Sequence, residues 1–231
     1  MIKIRSYKKE LLDLNNIHSH ELFQNLKELE IINKYLGGIS TSLKGISIFL
    51  ENKEKEYTIV DVGCGGGDFL KYASIYFSKK NFKINFIGYD LKQECVSYAK
   101  VFCKNQKNVS IIQDDFNNIF KNNKKPDIVH ASLFFHHLKE DEMIFFIKTC
   151  IDNDIKIVVN DLERHFLAFH SIKLLTKIFS KTELVKNDAK LSVLRGFSKN
   201  DLENILSKIS NIHYEIKNIF PFKFLILIQK K

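Results

Sequence analysis

Glycines and acidic side chains at two points of the chain have the spacing that a nucleoside-binding site requires. Residues 61–67 read DVGCGGG and follow the apolar β-branched run 59–62, and a second apolar run, 84–90, ends on Asp90. A glycine turn between a strand and a helix directs backbone N–H groups and the positive end of the helix dipole at a ligand. An acid about 20 residues further along hydrogen-bonds ribose hydroxyls. The two points together predict a nucleoside-bearing cofactor.

The spacing of the glycines distinguishes between cofactors. A dinucleotide fingerprint would have glycines at positions 63, 65 and 68, but position 68 is Asp68 here. The glycines of this chain fall instead at every second position, 63, 65 and 67. Residues 61–67 instead resemble the Asp-x-Gly-x-Gly-x-Gly motif of class I S-adenosylmethionine (SAM) methyltransferases. In that family the loop holds the amino-acid end of SAM. The resemblance therefore implies SAM as cofactor and S-adenosyl-L-homocysteine (SAH) as product.

The resemblance also implies which side chains contact the cofactor. In the family, an acid after the third strand hydrogen-bonds the adenine amino group. Asp114 fits that position best and Asp115 is a near alternative, although both acids also suit the cap of a helix. The complete set that we predict to bind the cofactor is Asp61, Gly63, Cys64, Gly65, Gly67, Asp90, Leu91, Asp114, Asp115, Phe116 and Ser132.

Three histidines are candidates for proton transfer. Methyl transfer from a sulfonium chiefly needs alignment, but an oxygen nucleophile must also lose its proton, and histidine titrates near neutrality. His137 follows the predicted fourth strand, and His165 and His170 follow the fifth. We predict that at least one of them is the base or orients the acceptor, while for each histidine taken alone a structural role is the preferred interpretation.

A metal site is not expected. Catechol-type methyltransferases bind magnesium through an Asp after the fourth strand and an Asp-Asn pair after the fifth. Here the fourth strand leaves through residues 131–132, which are Ala and Ser, and the later pair is reversed as Asn160 and Asp161. Magnesium needs well-placed oxygen ligands, so we predict no metal. Asp161, Glu163 and Arg164 remain candidates for orienting the acceptor or for holding the insertion in place.

The order of the predicted elements indicates a doubly wound α/β fold. Strands are predicted over 59–62, 84–90, 109–112 and 155–159, and residues 126–138 are predicted to hold the fourth strand and its exit loop, with helical patterns between most of the strands. Two further strands, 213–219 and 222–229, form a hairpin around Pro221. The resemblance implies a seven-stranded, mostly parallel, Rossmann-like sheet that an antiparallel C-terminal hairpin completes.

Two helical segments flank or interrupt this predicted domain. Residues 1–56 are predicted to form an N-terminal lid of two helices, about 21–36 and 41–50, separated at Gly37-Gly38. Residues 57–231 form the SAM-binding domain. It contains an acceptor-site insertion at about 162–197, which begins with an apolar helix predicted over 166–179. Ser198 then resembles the start of a capping box.

Composition limits the partners. The 231 residues carry a net charge of +9, but only three of the 36 basic residues are arginines and the lysines are scattered. This pattern argues against nucleic acid as a partner. No apolar run is long enough for an integral membrane segment. The start lacks the features of a secretory signal and the four cysteines lack paired spacing, which predicts a cytoplasmic protein with free thiols.

The acceptor is the least determined part of the prediction. The segment 133–138, LFFHHL, resembles the Leu-His-His-Leu-like segment of small-molecule methyltransferases of the ubiquinone and menaquinone biosynthesis type. The histidines and the missing metal favour O-methylation of a small phenolic, hydroxyacid or quinol-like acceptor in natural-product or quinone-type biosynthesis. The aromatic-rich insertion indicates that this acceptor is apolar and aromatic. C-methylation of a quinone precursor and a non-catalytic SAM-binding protein are the alternatives. Asp68 disfavours an NAD(P)-dependent reductase, and a homo-oligomer is left open.

Overall fold

Strands and helices alternate along most of the chain. The computed structural model describes residues 4–13, 17, 19–121 and 125–231. Within them the strands are β1 (Glu56–Val62), β2 (Lys83–Asp90), β3 (Val109–Gln113), β4 (Ile128–Ser132), β5 (Lys156–Leu162), β6 (Ile212–Ile219) and β7 (Lys223–Lys230). The α-helices are α1 (Ser19–Tyr35), α2 (Gly38–Phe49), α3 (Asp68–Lys79), α4 (Gln93–Phe102), α5 (Glu140–Asp152), α6 (Phe166–Phe179), α7 (Glu183–Arg195) and α8 (Lys199–Leu206). Short 3₁₀ helices are Leu11–Asp13, Phe116–Lys121 and Phe135–His137.

The strands form one sheet in the order β3-β2-β1-β4-β5-β7-β6. β1 to β5 are parallel, and β7 is antiparallel to both β5 and β6. Val62 at the end of β1 pairs with Tyr89 of β2 and with Ala131 of β4, so these carboxyl ends lie level. The chain order reverses between β1 and β4, which is where such sheets bind their ligands. The predicted fold class is confirmed.

Helices cover both faces of the sheet. One apolar cluster joins the sheet to α2, α3 and α4, and the other joins it to α5 and α8. Six of the seven residues of β1 are buried, as expected for a parallel strand with both faces covered. Gly45 of α2 lies against Val158 and Leu225, where an added Cβ would be 2.7 Å from either side chain. α2 is therefore part of the packed domain.

α1 packs outside this layer and contacts α4. Leu22 and Leu26 of α1 form a small cluster with Cys95. Gly37, at φ +78°, turns the chain between α1 and α2, so the second helix begins at Gly38, earlier than predicted. A lid made by residues 1–56 stays a prediction, and its residues 1–3, 14–16 and 18 lie outside the described part of the chain.

The C-terminal half differs from the prediction in two places. β5 continues through Asn160 and Asp161, which the sequence placed after the strand because they are polar; both are fully buried and pair with β7. The insertion contains α7 as well as α6, and α6 has the predicted bounds. Ser198 and Asp201 form the expected capping box of α8. None of the helices in the described ranges is long and apolar enough to cross a membrane.

Candidate active site

A cavity of about 380 Å³ lies at the carboxyl ends of the central parallel strands. Its walls are the glycine turn after β1, the ends of β2 and β3, the exit of β4, the inner side of α1 and the 3₁₀ helix Leu11–Asp13. Nine of the eleven predicted cofactor-binding residues line it: Asp61, Gly63, Cys64, Gly65, Asp90, Leu91, Asp114, Phe116 and Ser132.

The other two predicted residues, Gly67 and Asp115, do not line the cavity. Gly67 has a φ of +74° and packs beside Ala99 and Cys103, where an added Cβ would lie 3.1 Å from each side chain. It allows α3 to approach α4 closely. Asp115 accepts the backbone N–H of Asn117 at 2.8 Å and so caps the following 3₁₀ helix. Of the two candidate adenine partners, only Asp114 is in the wall.

The glycine turn is fixed by its backbone conformation and by Asp90. Gly63 has a φ of +64°, and an added Cβ would lie 2.2 Å from the ring of Phe134, so both the turn and the close approach require glycine. The N–H of Gly65 donates to Asp90 Oδ2 and that of Lys92 to Oδ1, both at 2.9 Å. Burial raises the pKa of Asp90, although these two N–H groups act against it.

Asp61 belongs to a buried polar chain that the sequence analysis missed. Its Oδ1 lies 2.7 Å from His130 Nδ1, and His130 Nε2 lies 2.8 Å from the hydroxyl of Ser42. The His130 ring stacks on Phe69 with 3.8 Å between ring centroids. Burial raises the pKa of Asp61, and His130 opposes that effect. Aligning the predicted strands β1 and β4 in register would have predicted this contact, because that register pairs Asp61 with His130.

Among the three predicted catalytic histidines, His137 is the one in the cavity wall. Its Nδ1 lies 3.2 Å from Asp13 Oδ1 and its Nε2 lies 3.8 Å from Glu10 Oε2. Asp13 also lines the cavity. Asp13 is thus close enough to orient the imidazole through Nδ1, and orientation by a carboxylate is typical of histidines that act as bases. Glu10 and Asp13 had no motif in the sequence, since they precede every predicted element.

The neighbouring His136 points away into the protein. Its Nδ1 lies 2.7 Å from Asp161 Oδ1, and its Nε2 lies 3.5 Å from Glu10 Oε1. Burial by itself would lower the pKa of His136, but the carboxylates of Asp161 and Glu10 raise it to about 9. Burial acts to raise the pKa of Asp161, but the charge and hydrogen bond of His136, together with the N–H groups of Leu162 and His136, outweigh it, so this pKa is lowered. His136 and Asp161 therefore form a buried ion pair.

Two arginines hold the N-terminal segment 4–13 against this cluster. Arg195 donates to Asp13 Oδ2 at 2.9 Å and to the carbonyl oxygen of Lys8 at 3.2 Å. Arg5 donates to the carbonyl oxygens of Arg195 and His136 at 2.8 and 2.9 Å. A segment without a predicted element thus becomes a wall of the cavity.

The same cluster contains donors that suit a metal ion. One atom each from Glu10, His136 and His137 lies within 4.8 Å of the others. The guanidinium of Arg195, 4.0 Å from Glu10 Oε1, already supplies positive charge there, and repulsion between the two would disfavour an added cation. We assign these side chains to ion pairs, and the absence of a metal stays a prediction.

His165 and His170 lie outside the cavity wall. His165 Nδ1 accepts the N–H of Leu167 as the N-cap of α6, and its ring stacks on Phe222. His170 is exposed on α6. Among the described residues, the lining includes nothing beyond Leu138. The predicted contribution of the 162–197 insertion to this cavity is therefore not seen, because α6 packs beside α7 instead.

α1 supplies part of the wall in place of the insertion. Leu26, Leu29, Glu30 and Asn33 line the cavity. The amide of Asn33 donates to Asp68 Oδ2 at 2.8 Å, which ties α1 to the start of α3. Burial raises the pKa of Asp68. Whether α1 moves as a lid stays a prediction.

Comparisons with known proteins identify a domain and a fold. Residues 59–153 match the model of a family described as a methyltransferase domain. No curated protein matches the chain. The plantazolicin methyltransferase BpumL, solved in complex with SAH, is similar over 92% of this chain and 95% of its own, with 17% identity and a TM-score of 0.68.

Two further solved structures share the fold. A SAM-dependent methyltransferase from Aquifex aeolicus is 19% identical over 94% of this chain and 100% of its own, with a TM-score of 0.62. The pyocyanin biosynthetic protein PhzM is 16% identical over 83% of this chain and 55% of its own, with a TM-score of 0.56. At these identities the likeness concerns the fold.

Proposed function

We propose that the chain is a class I SAM-dependent methyltransferase, with SAM as its cofactor, and that it methylates the hydroxyl of a small aromatic acceptor. The methyltransferase domain and the fold shared with solved methyltransferases support this proposal. The observation that carries the proposal is the position of His137. Its imidazole and the predicted cofactor residues Asp90 and Asp114 line one cavity. A base and a methyl donor held together in this way are what O-methylation requires.

The cofactor is assigned to the side of the cavity that the glycine turn forms. We propose that the N–H groups of this turn face the amino-acid end of SAM, that Asp90 accepts the ribose hydroxyls, and that Asp114 accepts the adenine amino group. Phe116 packs edge-on against Phe134 at 5.2 Å between ring centroids, and this pair offers an apolar surface to the adenine. Ser132 and Leu91 complete the contacts.

The acceptor is assigned to the side that His137 and Asp13 form. The hydroxyl oxygen attacks the methyl carbon in line with the departing sulfur, so the C–O bond forms as the S–C bond breaks and SAH leaves. His137 takes the hydroxyl proton, and Asp13 orients the imidazole. Leu12, Leu138 and the aromatic rings of the wall suit an apolar, aromatic acceptor.

Two of the similar structures come from natural-product biosynthesis, which supports a natural product as the acceptor. Plantazolicin methyltransferases were solved with desmethylPZN analogs, and PhzM is described as a pyocyanin biosynthetic protein. Four buried free cysteines support a reducing, cytoplasmic location. C-methylation of a quinone precursor also releases a proton, from the ring carbon, so a base at His137 would serve either reaction, and the position of the new methyl group separates the two.

The first experiment is calorimetric titration of the purified chain with SAH, with NADH as the matched control ligand. Binding of SAH alone is expected. Labelled SAM is then incubated with a panel of phenols, quinols and quinone precursors, and the methylated atom is determined by mass spectrometry and NMR. Products in which the new methyl group is bonded to carbon would show C-methylation and refute the proposed O-methylation. SAH binding without turnover of any acceptor would favour a non-catalytic SAM-binding protein.

A further inference from the structure

α6 presents apolar side chains to solvent along most of its length. Leu174 is 59% exposed, Ile178 62% and Phe179 75%, and Phe166 and Leu167 are each more than half exposed. Within the helix only Ala168 and Thr176 are buried. The cavity wall contains none of these residues. Apolar side chains in such a patch indicate a surface that binds something.

The arrangement of the exposed side chains along α6 is that of an amphipathic helix. Leu167, Leu174 and Ile178 are spaced i, i+7 and i+11, which places them in one stripe. Phe179, the last residue of the helix, lies beside this stripe, about 100° round the helix from Ile178, and is 75% exposed. The lysines Lys173 and Lys177, one turn apart, lie along one side of this stripe, and both are exposed. The two buried residues of the helix, Ala168 and Thr176, lie outside this stripe, and α6 contacts α7.

All formal charge on this segment is positive. The sequence has no acidic residue between Glu163 and Glu183, whereas it has Lys173, Lys177 and Lys181. An apolar stripe bordered by lysines is the composition of helices that lie in the interface of a bilayer with anionic lipids. The net charge of +9 adds a long-range attraction to the same kind of surface.

We propose that α6 docks on an anionic phospholipid surface, with Leu174, Ile178 and Phe179 entering the headgroup region and the lysines contacting phosphates. α6 begins four residues after β5 ends, at the edge of the sheet where the cavity lies. Docking therefore brings the cavity edge close to the bilayer. The inference rests on α6 and holds whichever acceptor is methylated.

A second copy of the chain fits this surface less well. In a two-fold dimer the same patch meets itself, so Lys173 and Lys177 of one copy would face the same lysines of the other. Like charges brought together at an interface weaken it. The absence of acidic residues between 164 and 182 leaves no partner for those lysines across such an interface.

The test is co-sedimentation of the full chain with vesicles of equal parts phosphatidylglycerol and phosphatidylcholine. We expect binding to these vesicles to exceed binding to pure phosphatidylcholine by about tenfold or more, and to weaken with salt. The triple variant Leu174→Ser, Ile178→Ser, Phe179→Ser keeps every charge, and we expect it to bind about tenfold more weakly because the inserted apolar area is lost. The matched control, Val101→Ser with Phe145→Ser, replaces apolar residues that are 69% and 62% exposed on α4 and α5 and should bind like wild type.

Two results would overturn the proposal. Equal sedimentation of wild type and the triple variant would mean that charge alone, and not α6, drives binding. Sedimentation velocity that shows a wild-type dimer, dissociated by the triple substitution, together with no vesicle binding, would assign the surface to a second copy. All three replaced side chains are exposed, so unfolding of the variant is not expected, and circular dichroism checks this.

Discussion

The carboxylate of Asp90 accepts hydrogen bonds from the backbone of the glycine turn and, in our proposal, also from the ribose hydroxyls of the cofactor. In the structure its oxygens accept the N–H groups of Gly65 and Lys92, which hold the glycine turn in place. Each oxygen has a further lone pair for a ribose hydroxyl. The residue is thus at once a part of the loop and, in our proposal, a cofactor ligand.

Asp90→Ala should therefore raise the dissociation constant of SAH by at least about tenfold, because hydrogen bonds to a charged group contribute roughly 1.5–3 kcal/mol each. Calorimetry measures the change. The matched control is Asp115→Ala, which removes a nearby acid that does not line the cavity. A dissociation constant equal to that of wild type would refute the ribose assignment.

His137→Ala should lower turnover of a phenolic acceptor by roughly 10²–10⁴-fold, the range of general base catalysis. The SAH dissociation constant should stay within about twofold of wild type, since His137 lies on the acceptor side in our proposal. His170→Ala, an exposed histidine on α6, is the control and should turn over normally. Wild-type turnover of His137→Ala would remove it as the base.

At the scale of elements, the segment 4–13 is held by side chains far away in sequence. The N–H groups of Leu11 and Leu12 donate to the two oxygens of Asp188 on α7, each at 2.8 Å. Ser192 of α7 donates to Glu10 Oε1 at 2.7 Å. α7 therefore positions the carboxylates beside His137, although it contributes no residue to the cavity wall.

Asp188→Ala should free this segment locally. Loss of two hydrogen bonds to a carboxylate should speed amide exchange in residues 5–13 by about tenfold or more while exchange in the sheet is unchanged. Turnover should fall as well, because Asp13 is no longer fixed. Glu183→Gln, an exposed change on the same helix, is the control. Exchange that is unaltered in residues 5–13 would contradict this role.

The sequence predicts a site residue well when neighbouring elements of the chain position it, and poorly when distant elements do. The glycine turn and Asp90 were predictable because a strand, a turn and a helix within about 30 residues determine their geometry. Glu10 and Asp13 were not, because they reach His137 only through α7, Arg5 and Arg195. Asn160 and Asp161 were misplaced because a polar residue in a buried strand needs partners, here Gly38 and His136, that only the fold provides.

At the scale of the whole molecule, the few arginines are all used inside the protein. Arg5 and Arg195 bind carbonyl and carboxylate oxygens around the cavity, and Arg164 pairs with Asp201 at 2.8 Å. The guanidinium group suits such multiple contacts, whereas the exposed cations are lysines. The positive charge of the surface is accordingly lysine charge, which suits long-range attraction to anionic lipid, and the absence of a nucleic-acid partner stays a prediction.

The buried ion pair of His136 should make stability depend on pH. The pKa of His136 in the folded chain is about 9, above its ordinary value of 6.5. The folded state therefore holds a proton that the unfolded state releases, and the free energy of unfolding should fall by roughly 1–2 kcal/mol from pH 6.5 to pH 8. Urea unfolding at several pH values measures this slope.

The measurement should stay between pH 6.5 and pH 8, because above pH 8 a second group changes the free energy of unfolding in the opposite direction. Burial lowers the pKa of Lys223 to about 8, so this lysine adds stability as pH rises above 8. His136→Gln should lose the fall between pH 6.5 and 8, while His213→Gln, an exposed change on β6, should keep it. A fall of the same size in His136→Gln would place its origin elsewhere.

The four cysteines are buried free thiols, so their reaction with a thiol reagent would report when the surrounding structure opens. Burial raises the pKa of Cys95 to about 12 and that of Cys103 to about 11, and Cys64 and Cys150 are raised too, so none offers a reactive thiolate while its surroundings stay closed. Cys64 and Cys95 border the cavity, whereas Cys150 lies in the core between α5 and the sheet. The rate at which a thiol reagent modifies Cys64 and Cys95 would therefore report local opening of the cavity, and the rate at which it modifies Cys150 would report unfolding of the core. One reagent would thus measure both rates in a single chain.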